Sequence, residues 1–169
     1  MSWYVLLIAA VAVERVVELV VSTRNLAWSR ARGGVEFGAR HYPVMVVLHT
    51  GLLAGCLVEA IALHRPFLPL LGWSMFALVL AAQVLRWWCI TTLGHQWNTR
   101  VVVIPDAPRV SGGPYRFFSH PNYVAVVVEG FALPLVHTAW VTALVFTVLN
   151  ALLLRTRITV ENAALARLG

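Results

Sequence analysis

Long apolar runs interrupted by polar segments restrict the folds open to this chain more than any other feature. Of its 169 residues, 60% are hydrophobic and only 12% are charged, where a soluble domain carries about 25% charged residues. A bilayer core accommodates about 20 apolar residues per helix, and it offers no water to unpaired backbone groups, so spanning segments must be helical. The sequence therefore predicts an all-α integral membrane protein, a helical bundle formed by residues 1–169 as a single domain.

Five transmembrane helices account for the apolar runs. The last run, residues 121–154, is too long for one span and slightly short for two, because a helix rises about 1.5 Å per residue. We therefore expect a tight helical hairpin that turns near Pro134, with Glu129 and Gly130 facing inward. The predicted spans are residues 3–21, 43–64, 68–90, 121–134 and 138–154. Long polar segments lie at 22–42 and 91–118, and a final amphipathic helix follows the last span.

Several ionisable residues lie within the predicted spans. Glu14 and Glu18 share one helix face with Arg15 nearby, and two interpretations stay open: pairing at the membrane interface, or a place in a functional site. His49 is alone in the second span, where hydrogen-bonded packing is the more usual explanation. Residues 86–88, an arginine followed by two tryptophans, are typical of an aromatic belt at the membrane interface.

The distribution of arginine predicts the orientation. All 13 basic residues are arginine, and ten of them fall in the first and third loops and the C-terminal segment. The positive-inside rule places this end in the cytoplasm of a bacterial-type cell, with the N-terminus outside and the C-terminus inside. The net charge of +6 is thus explained by orientation and lipid contact, and no nucleic-acid partner is expected.

The polar stretch at residues 112–123 is the strongest candidate site. Its glycines and first proline predict a turn, and Pro121 suits the first turn of a helix. The residue before a proline avoids the helical region, which places His120 at the helix cap. An imidazole, Tyr115, Tyr123 and the positive end of a helix therefore meet, and we expect them to hold an anionic or methyl-donating cofactor at the membrane edge.

Four motifs together resemble the isoprenylcysteine carboxyl methyltransferase family. The resemblance covers residues from about 86 to 166, and the first half of the chain resembles the bacterial branch of the family. It implies a membrane-embedded enzyme that uses S-adenosyl-L-methionine and has a cytoplasmic cofactor pocket built from residues 91–123 and 155–166. The motifs are Leu93–Trp97, Gly113–Tyr115, His120–Tyr123 and Arg157–Asn162.

The resemblance also implies roles for individual positions. Arg157 corresponds to the family's substrate-contacting arginine. Apart from the resemblance, an enol or phenol acceptor would be helped by a base, for which His120 is the first candidate and Glu129 the second. The chain departs from the family pattern at Ser119 and Asn162, where the family usually has arginine and glutamate. The implied cofactor contacts are Ala107, Pro108, Arg109, Val110, Tyr115, His120, Pro121, Asn122, Tyr123 and Glu161.

Direct methyl transfer to oxygen is the reaction that these residues predict. The acceptor is expected to be lipophilic and to enter from the bilayer between the second span and the hairpin. An isoprenylcysteine-like carboxylate needs no base, since Arg157 would orient it, whereas a long-chain polyketide hydroxyl, such as that of an alkylpyrone or alkylresorcinol, is helped by one. Both acceptors stay open, and the sequence does not determine the oligomeric state.

Two other classes of protein fit part of the pattern. A sterol-type reductase on a similar scaffold would bind NADPH and would need basic residues for its 2′-phosphate. A non-enzymatic transporter or membrane interaction module would use Glu14, Glu18 and Glu59 as a polar pathway, but five spans without an internal repeat argue against it. No metal site is expected, because the chain has no carboxylate–histidine ligand motif.

Overall fold

Five helices and one short two-stranded ribbon form the protein in a computed structural model that describes residues 1–168. The architecture confirms the predicted all-α bundle. Two short 3-10 turns, Gly94–Gln96 and Gly113–Arg116, lie in the long polar segment. The helices are α1 (Ser2–Arg30), α2 (His41–Ala62), α3 (Pro69–Leu93), α4 (Pro121–Leu135) and α5 (Trp140–Leu168), and the strands are β1 (Val35–Phe37) and β2 (Val101–Val103).

Three segments are long and apolar enough to cross a membrane: α2, Pro69–Gln96, which continues α3 through the following turn, and Trp140–Arg167 in α5. Many of their large apolar side chains point outward, among them Val47, which is 72% exposed, and Val84, which is 69% exposed. Outward-facing apolar side chains are expected where the surrounding medium is lipid.

Helix α1 is longer than predicted. It does not end at Val21 but continues to Arg30, so the prediction of a loop from Ser22 was wrong. Its polar residues recur every three or four positions, on one helix face. Ser22 hydrogen-bonds Asn98 (Oγ to Oδ1, 2.8 Å), and Asn25 Nδ2 donates to the Trp97 carbonyl at 2.7 Å. Tertiary hydrogen bonds thus keep in the helix a stretch whose composition suggested a loop.

The predicted helical hairpin is present, with α4 and α5 joined at residues 136–139. Gly130 allows the two helices to approach closely, because a Cβ atom at this position would overlap the Phe146 ring. Helix α5 then runs without a break to Leu168, so the amphipathic end that was predicted as a separate helix is the continuation of a spanning one.

Hydrogen bonds to loops and helix ends close the bundle at the end away from the arginine-rich loops. Tyr4 Oη donates to the Leu133 carbonyl at 3.0 Å, and Thr138 Oγ1 donates to the Pro66 carbonyl at 2.7 Å. Glu59 accepts hydrogen bonds from Arg65 Nη2 at 2.8 Å and from the Thr142 backbone N–H at 2.7 Å. These bonds join the turn between α2 and α3, and the turn between α4 and α5, to the start of α5.

A two-stranded antiparallel ribbon covers the opposite end. Strand β1 lies in the first loop, and it pairs with β2 so that Glu36 is opposite Val102. Strand β2 is formed by the valine run Val101–Val103, and strand β1 was not predicted. Glu36 also accepts a hydrogen bond from Arg100 at 2.7 Å, so the first and third loops form one connected cover.

Candidate functional site

A cavity of about 710 Å³ opens beneath this cover and extends into the bundle. All five helices contribute to its wall, together with the segment that follows α3. Of the predicted cofactor contacts, Pro121 alone is not part of the wall, since its side chain is buried in the first turn of α4. The others line the cavity, together with Arg157: Ala107, Pro108, Arg109, Val110, Tyr115, His120, Asn122, Tyr123 and Glu161.

Glu161 is the centre of the polar group beneath the cover. Tyr123 Oη donates a hydrogen bond to Glu161 Oε2 at 2.7 Å, and His120 Nδ1 lies 3.6 Å from Glu161 Oε1. The His120 and Tyr123 rings stack with centroids 5.5 Å apart. The local sequence explains this arrangement. Pro121 is the first residue of α4, so His120 is the N-cap residue and Tyr123 follows three residues later, in the first turn of the helix.

The charge state of His120 follows from these contacts. The nearby Glu161 carboxylate raises the pKa of His120, although partial burial and the nearby Arg109 act in the opposite direction. The amide of Asn162 also favours the charged imidazolium. Asn162, one of the two departures from the family pattern, therefore supports His120 as a cation.

Arg157 lies on the same helix as Glu161, one turn earlier, as predicted. It is only 6% exposed, and its Nη2 donates to the Thr99 carbonyl at 2.7 Å. Its guanidinium lies 5.9 Å from the Tyr123 ring centroid. Arg157 therefore fixes the segment that covers the cavity, while its Nε is buried without a partner in the described part of the chain.

A second group of charges lies deeper, where α1, α3 and α4 meet. Arg15 Nη1 bonds Glu18 Oε2 at 2.6 Å, and Arg15 Nη2 bonds Glu129 Oε1 at 3.2 Å. Arg86 bonds the other oxygen of Glu129. The prediction that Arg86 belongs to an interfacial belt was therefore wrong: Arg86 is 4% exposed, because the acidic side chains of two neighbouring helices offer it partners inside the bundle.

The residues of this inner group differ in their access to the cavity. Arg15, Glu18 and Arg86 line the wall, whereas Glu129 faces inward, as predicted, but is not part of the wall. The Glu129 carboxylate is paired with two guanidinium groups, those of Arg15 and Arg86. This pairing does not suit the role of a base that was considered for Glu129. His49 lines the wall, and its Nδ1 lies 2.9 Å from the Met45 carbonyl, so the expected hydrogen bond is present.

Two wall residues, Arg86 and Asn150, were missed as site candidates from the sequence, and Glu18 is a third, for which a place in a functional site had been left open. Each has a buried polar atom without a partner among the described residues. The available signal was the presence of ionisable or amide side chains within apolar runs, which are costly there and are usually functional. The sequence does not show which of them face a shared cavity.

The bundle, its lipid-facing helices and the polar cavity at one end define the class as a helical membrane protein with an internal ligand site. Comparison with known proteins then identifies the family. The model of the isoprenylcysteine carboxyl methyltransferase family matches residues 75–167, more than half of the chain, and the chain belongs to this family. Membership implies methyltransferase activity in general.

Two bacterial relatives match over nearly their whole length. The protein YpbQ of Bacillus subtilis (strain 168) is 36% identical, and the match spans 98% of this chain and 96% of the relative. A protein of Haemophilus influenzae is 24% identical over 95% of this chain and 93% of its own. Both are described as uncharacterized, so they support the family and leave the substrate open.

Proposed function

We propose that this protein is an S-adenosyl-L-methionine-dependent O-methyltransferase that acts on a lipophilic acceptor in the membrane. The observation that carries the proposal is the convergence of His120, Tyr123 and Glu161 in one cavity that also extends between the spanning helices. The family supplies the reaction class, and the geometry supplies a polar compartment next to an apolar one.

The residues of the polar compartment fit the proposed cofactor. S-adenosyl-L-methionine supplies, when bound, a methyl group on a positively charged sulfur. The Tyr123 ring faces the cavity, and aromatic faces attract such cations by about 0.5–2 kcal/mol. Glu161 offers an acceptor for an ammonium group or ribose hydroxyls, and Asn122 Oδ1 is buried without a partner within residues 1–168.

Binding and alignment are the main contributions that we assign to the chain's own residues. His120, whose pKa is raised, holds a proton readily, which suits contact with a carboxylate better than a base role. Arg157 holds the covering segment through Thr99 and thereby keeps water from the reacting groups. Holding two reactants in line in a dry cavity supplies most of what a reaction with an activated methyl group requires.

We infer that the acceptor enters from the lipid between α1 and α2. Val16 and Leu19 line the cavity and are also 60% and 37% exposed on the outside of α1. Thr50 on α2 likewise lines the cavity and is exposed. Side chains that face both the cavity and the surroundings mark a gap in its wall, which differs from the expected entry between α2 and the hairpin.

Ligand binding to the purified protein in detergent tests the cofactor. S-adenosylhomocysteine is expected to raise the unfolding temperature, and NADPH is expected to leave it unchanged. Stabilisation by NADPH alone would contradict the proposal and favour a reductase. The polar-pathway alternative finds little support in the structure, since the Glu59 carboxylate is bound by Arg65 and Thr142.

The reaction itself is tested with radiolabelled S-adenosyl-L-methionine and a total bacterial lipid extract. We expect label in a lipid product that resists mild base if the acceptor is a hydroxyl and is released by it if the acceptor is a carboxylate. A protein that binds S-adenosylhomocysteine and yet labels no lipid would contradict the lipophilic acceptor.

A further inference from the structure

The inner end of the cavity contains buried polar atoms that no neighbouring group satisfies. Glu18 Oε1, Arg86 Nε and Asn150 Oδ1 have no hydrogen-bond partner within the described chain, although their residues are only 4%, 4% and 2% exposed. All three residues line the cavity. Because a buried polar group without a partner costs about 1–3 kcal/mol, such atoms on a cavity wall indicate a bound polar ligand.

Glu18 and Arg86 form the better defined part of this end. Glu18 Oε1 and Arg86 Nε are 3.6 Å apart, which is too long for a direct hydrogen bond. Another atom of each side chain is already hydrogen-bonded: Glu18 Oε2 accepts from Arg15 at 2.6 Å, and Arg86 Nη2 donates to Glu129. The unpaired atoms are thus an acceptor and a donor next to each other, and the bonds to Arg15 and Glu129 fix the positions of the two side chains.

This pair lies deeper in the bundle than Arg157. Ser22, one turn after Glu18 on α1, hydrogen-bonds Thr99 at 2.7 Å, and the Thr99 carbonyl accepts the bond from Arg157. Four residues of helix correspond to about 6 Å. Glu18 is therefore about one helical turn further from the covered end.

We propose that Glu18 and Arg86 bind the reacting hydroxyl of the acceptor; this inference rests on the proposed function. One hydroxyl oxygen placed between them donates its hydrogen to Glu18 Oε1 and accepts a hydrogen from Arg86 Nε. It satisfies both atoms at once. A carboxylate accepts from Arg86 equally well, but it brings a second negative charge against Glu18.

The net charge of the inner group supports the same choice. Three carboxylates, Glu14, Glu18 and Glu129, are paired with two guanidinium groups, Arg15 and Arg86. One negative charge is left over in a buried place, where a further anion is strongly disfavoured. The site thus selects an un-ionised hydroxyl over a carboxylate such as that of a prenylated cysteine.

Glu18 also has a part in the reaction. As the hydroxyl oxygen forms its bond to the methyl carbon, the carbon–sulfur bond of the donor breaks and its electron pair stays on sulfur. The hydroxyl proton passes to the Glu18 carboxylate, which releases it to solvent after the methylated product leaves. The products are the methyl ether, S-adenosylhomocysteine and one proton, so atoms and charge balance.

Acceptor binding without the methyl donor tests this proposal. The probes are 5-pentadecylresorcinol, which offers hydroxyls, and N-acetyl-S-farnesylcysteine, which offers a carboxylate. The variant is Glu18→Gln, whose amide N–H₂ group faces the ligand when its carbonyl takes the bond from Arg15. The matched control is Glu36→Gln, since Glu36 is also paired with an arginine but belongs to the cover and does not line the cavity.

We expect the wild-type protein and Glu36→Gln to bind 5-pentadecylresorcinol more tightly than N-acetyl-S-farnesylcysteine. We expect Glu18→Gln to bind the resorcinol about tenfold or more weakly, as for loss of a hydrogen bond to a charged group. S-adenosylhomocysteine should bind all three proteins equally. Unchanged resorcinol affinity in Glu18→Gln, or a wild-type preference for the carboxylate probe, would overturn the inference.

The same titrations separate the inference from the proposed function. If the proposed cofactor is wrong, the wild-type protein will not bind S-adenosylhomocysteine. The resorcinol titration contains no cofactor, so its result tests the acceptor site separately. Methyl transfer to 5-pentadecylresorcinol gives a second readout. Glu18→Gln should lose most of this transfer, and Glu36→Gln should keep it; equal transfer by the two variants would also count against Glu18.

Discussion

At the scale of single residues, one carboxylate organises the covered end of the cavity. Glu161 lies near the end of α5, and both of its contacts, His120 and Tyr123, come from the first turn of α4. Two elements that are distant in sequence therefore meet through one side chain. An acid held by a phenol and an imidazole keeps a fixed position, as a binding site for a charged ligand requires.

Replacing Glu161 by glutamine should weaken binding of S-adenosylhomocysteine by about tenfold or more, because a hydrogen bond to a charged group contributes about 1.5–3 kcal/mol. Isothermal titration in detergent measures the affinity. The control is Glu36→Gln, since Glu36 lies in the cover at the same end, pairs with Arg100 and does not line the cavity. Equal affinities for the two variants would remove Glu161 from the cofactor site.

The raised pKa of His120 predicts a pH dependence of stability. The folded protein favours the imidazolium, so the stabilisation is fully present below the ordinary value of about 6.5 and is lost as the pH rises through the higher folded value. The unfolding temperature of wild type should exceed that of His120→Gln at about pH 5.5, and the difference should shrink toward about pH 9. A difference independent of pH would contradict this assignment.

The sequence predicted the outer site better than the inner one. His120, Tyr123 and Glu161 fall in recognisable motifs, and the structure brings them together, although their functional roles stay predictions. Glu18 was left between interfacial pairing and a functional site, and Arg86 was assigned to the interfacial belt, because the sequence does not show that these two side chains meet inside the bundle. An arginine followed by two tryptophans has the composition of an interfacial belt, and only the packing of α3 against α1 and α4 shows otherwise.

At the scale of elements, apolar length predicted the helices, and side-chain contacts determined where they end. The hairpin of α4 and α5 followed from a run too long for one span, and the structure confirms it. The end of α1 was placed nine residues too early, since its last turns are polar and bond the covering segment. Strand β1 was missed because three residues give too short a pattern for a strand to be recognised.

The close approach of α4 and α5 should make Gly130 intolerant of a side chain. Gly130→Ala is expected to destabilise the protein by about 1–3 kcal/mol, because the added methyl group forces the Phe146 ring to move. Gly51→Ala is the control, since a Cβ atom there has open space and alanine is favoured over glycine in a helix by about 1 kcal/mol.

Unfolding temperatures of the two glycine variants in the same detergent measure this effect. Lower stability for Gly130→Ala and equal or higher stability for Gly51→Ala are expected. The double variant Gly130→Ala/Phe146→Leu should recover part of the loss, because the smaller side chain leaves room for the methyl group. Equal stability of the two single variants would mean that the helices are not held this closely.

At the scale of the whole molecule, the two ends of the bundle have opposite character. Trp3 stacks on Trp73 at one end, with ring centroids 5.5 Å apart, and Phe67 packs against both. The ten arginines counted in the loops and the C-terminal segment belong to the other end, where Arg100 and Arg157 bond parts of the cover. The covered cavity and the arginine-rich segments thus share one end.

Reporter fusions test the proposed orientation, in which the arginine-rich end faces the cytoplasm. Green fluorescent protein joined after residue 169 should fluoresce, and alkaline phosphatase at that position should be inactive, because it folds only outside the cytoplasm. Fusions after His64, in the turn between α2 and α3, should give the opposite pair of results. Active phosphatase at the C-terminal position would place the cavity on the outer side.

The ribbon between the first and third loops has a consequence for biosynthesis. Val35 pairs with Val103, so the first strand is translated well before its partner and waits until two intervening helices have been inserted. Synthesis proceeds from the N-terminus. A ribosome-stalled chain in which residues 101–103 are still inside the ribosome would expose the edge of that strand to proteases, and longer stalled chains in which these residues have emerged should resist the cleavage.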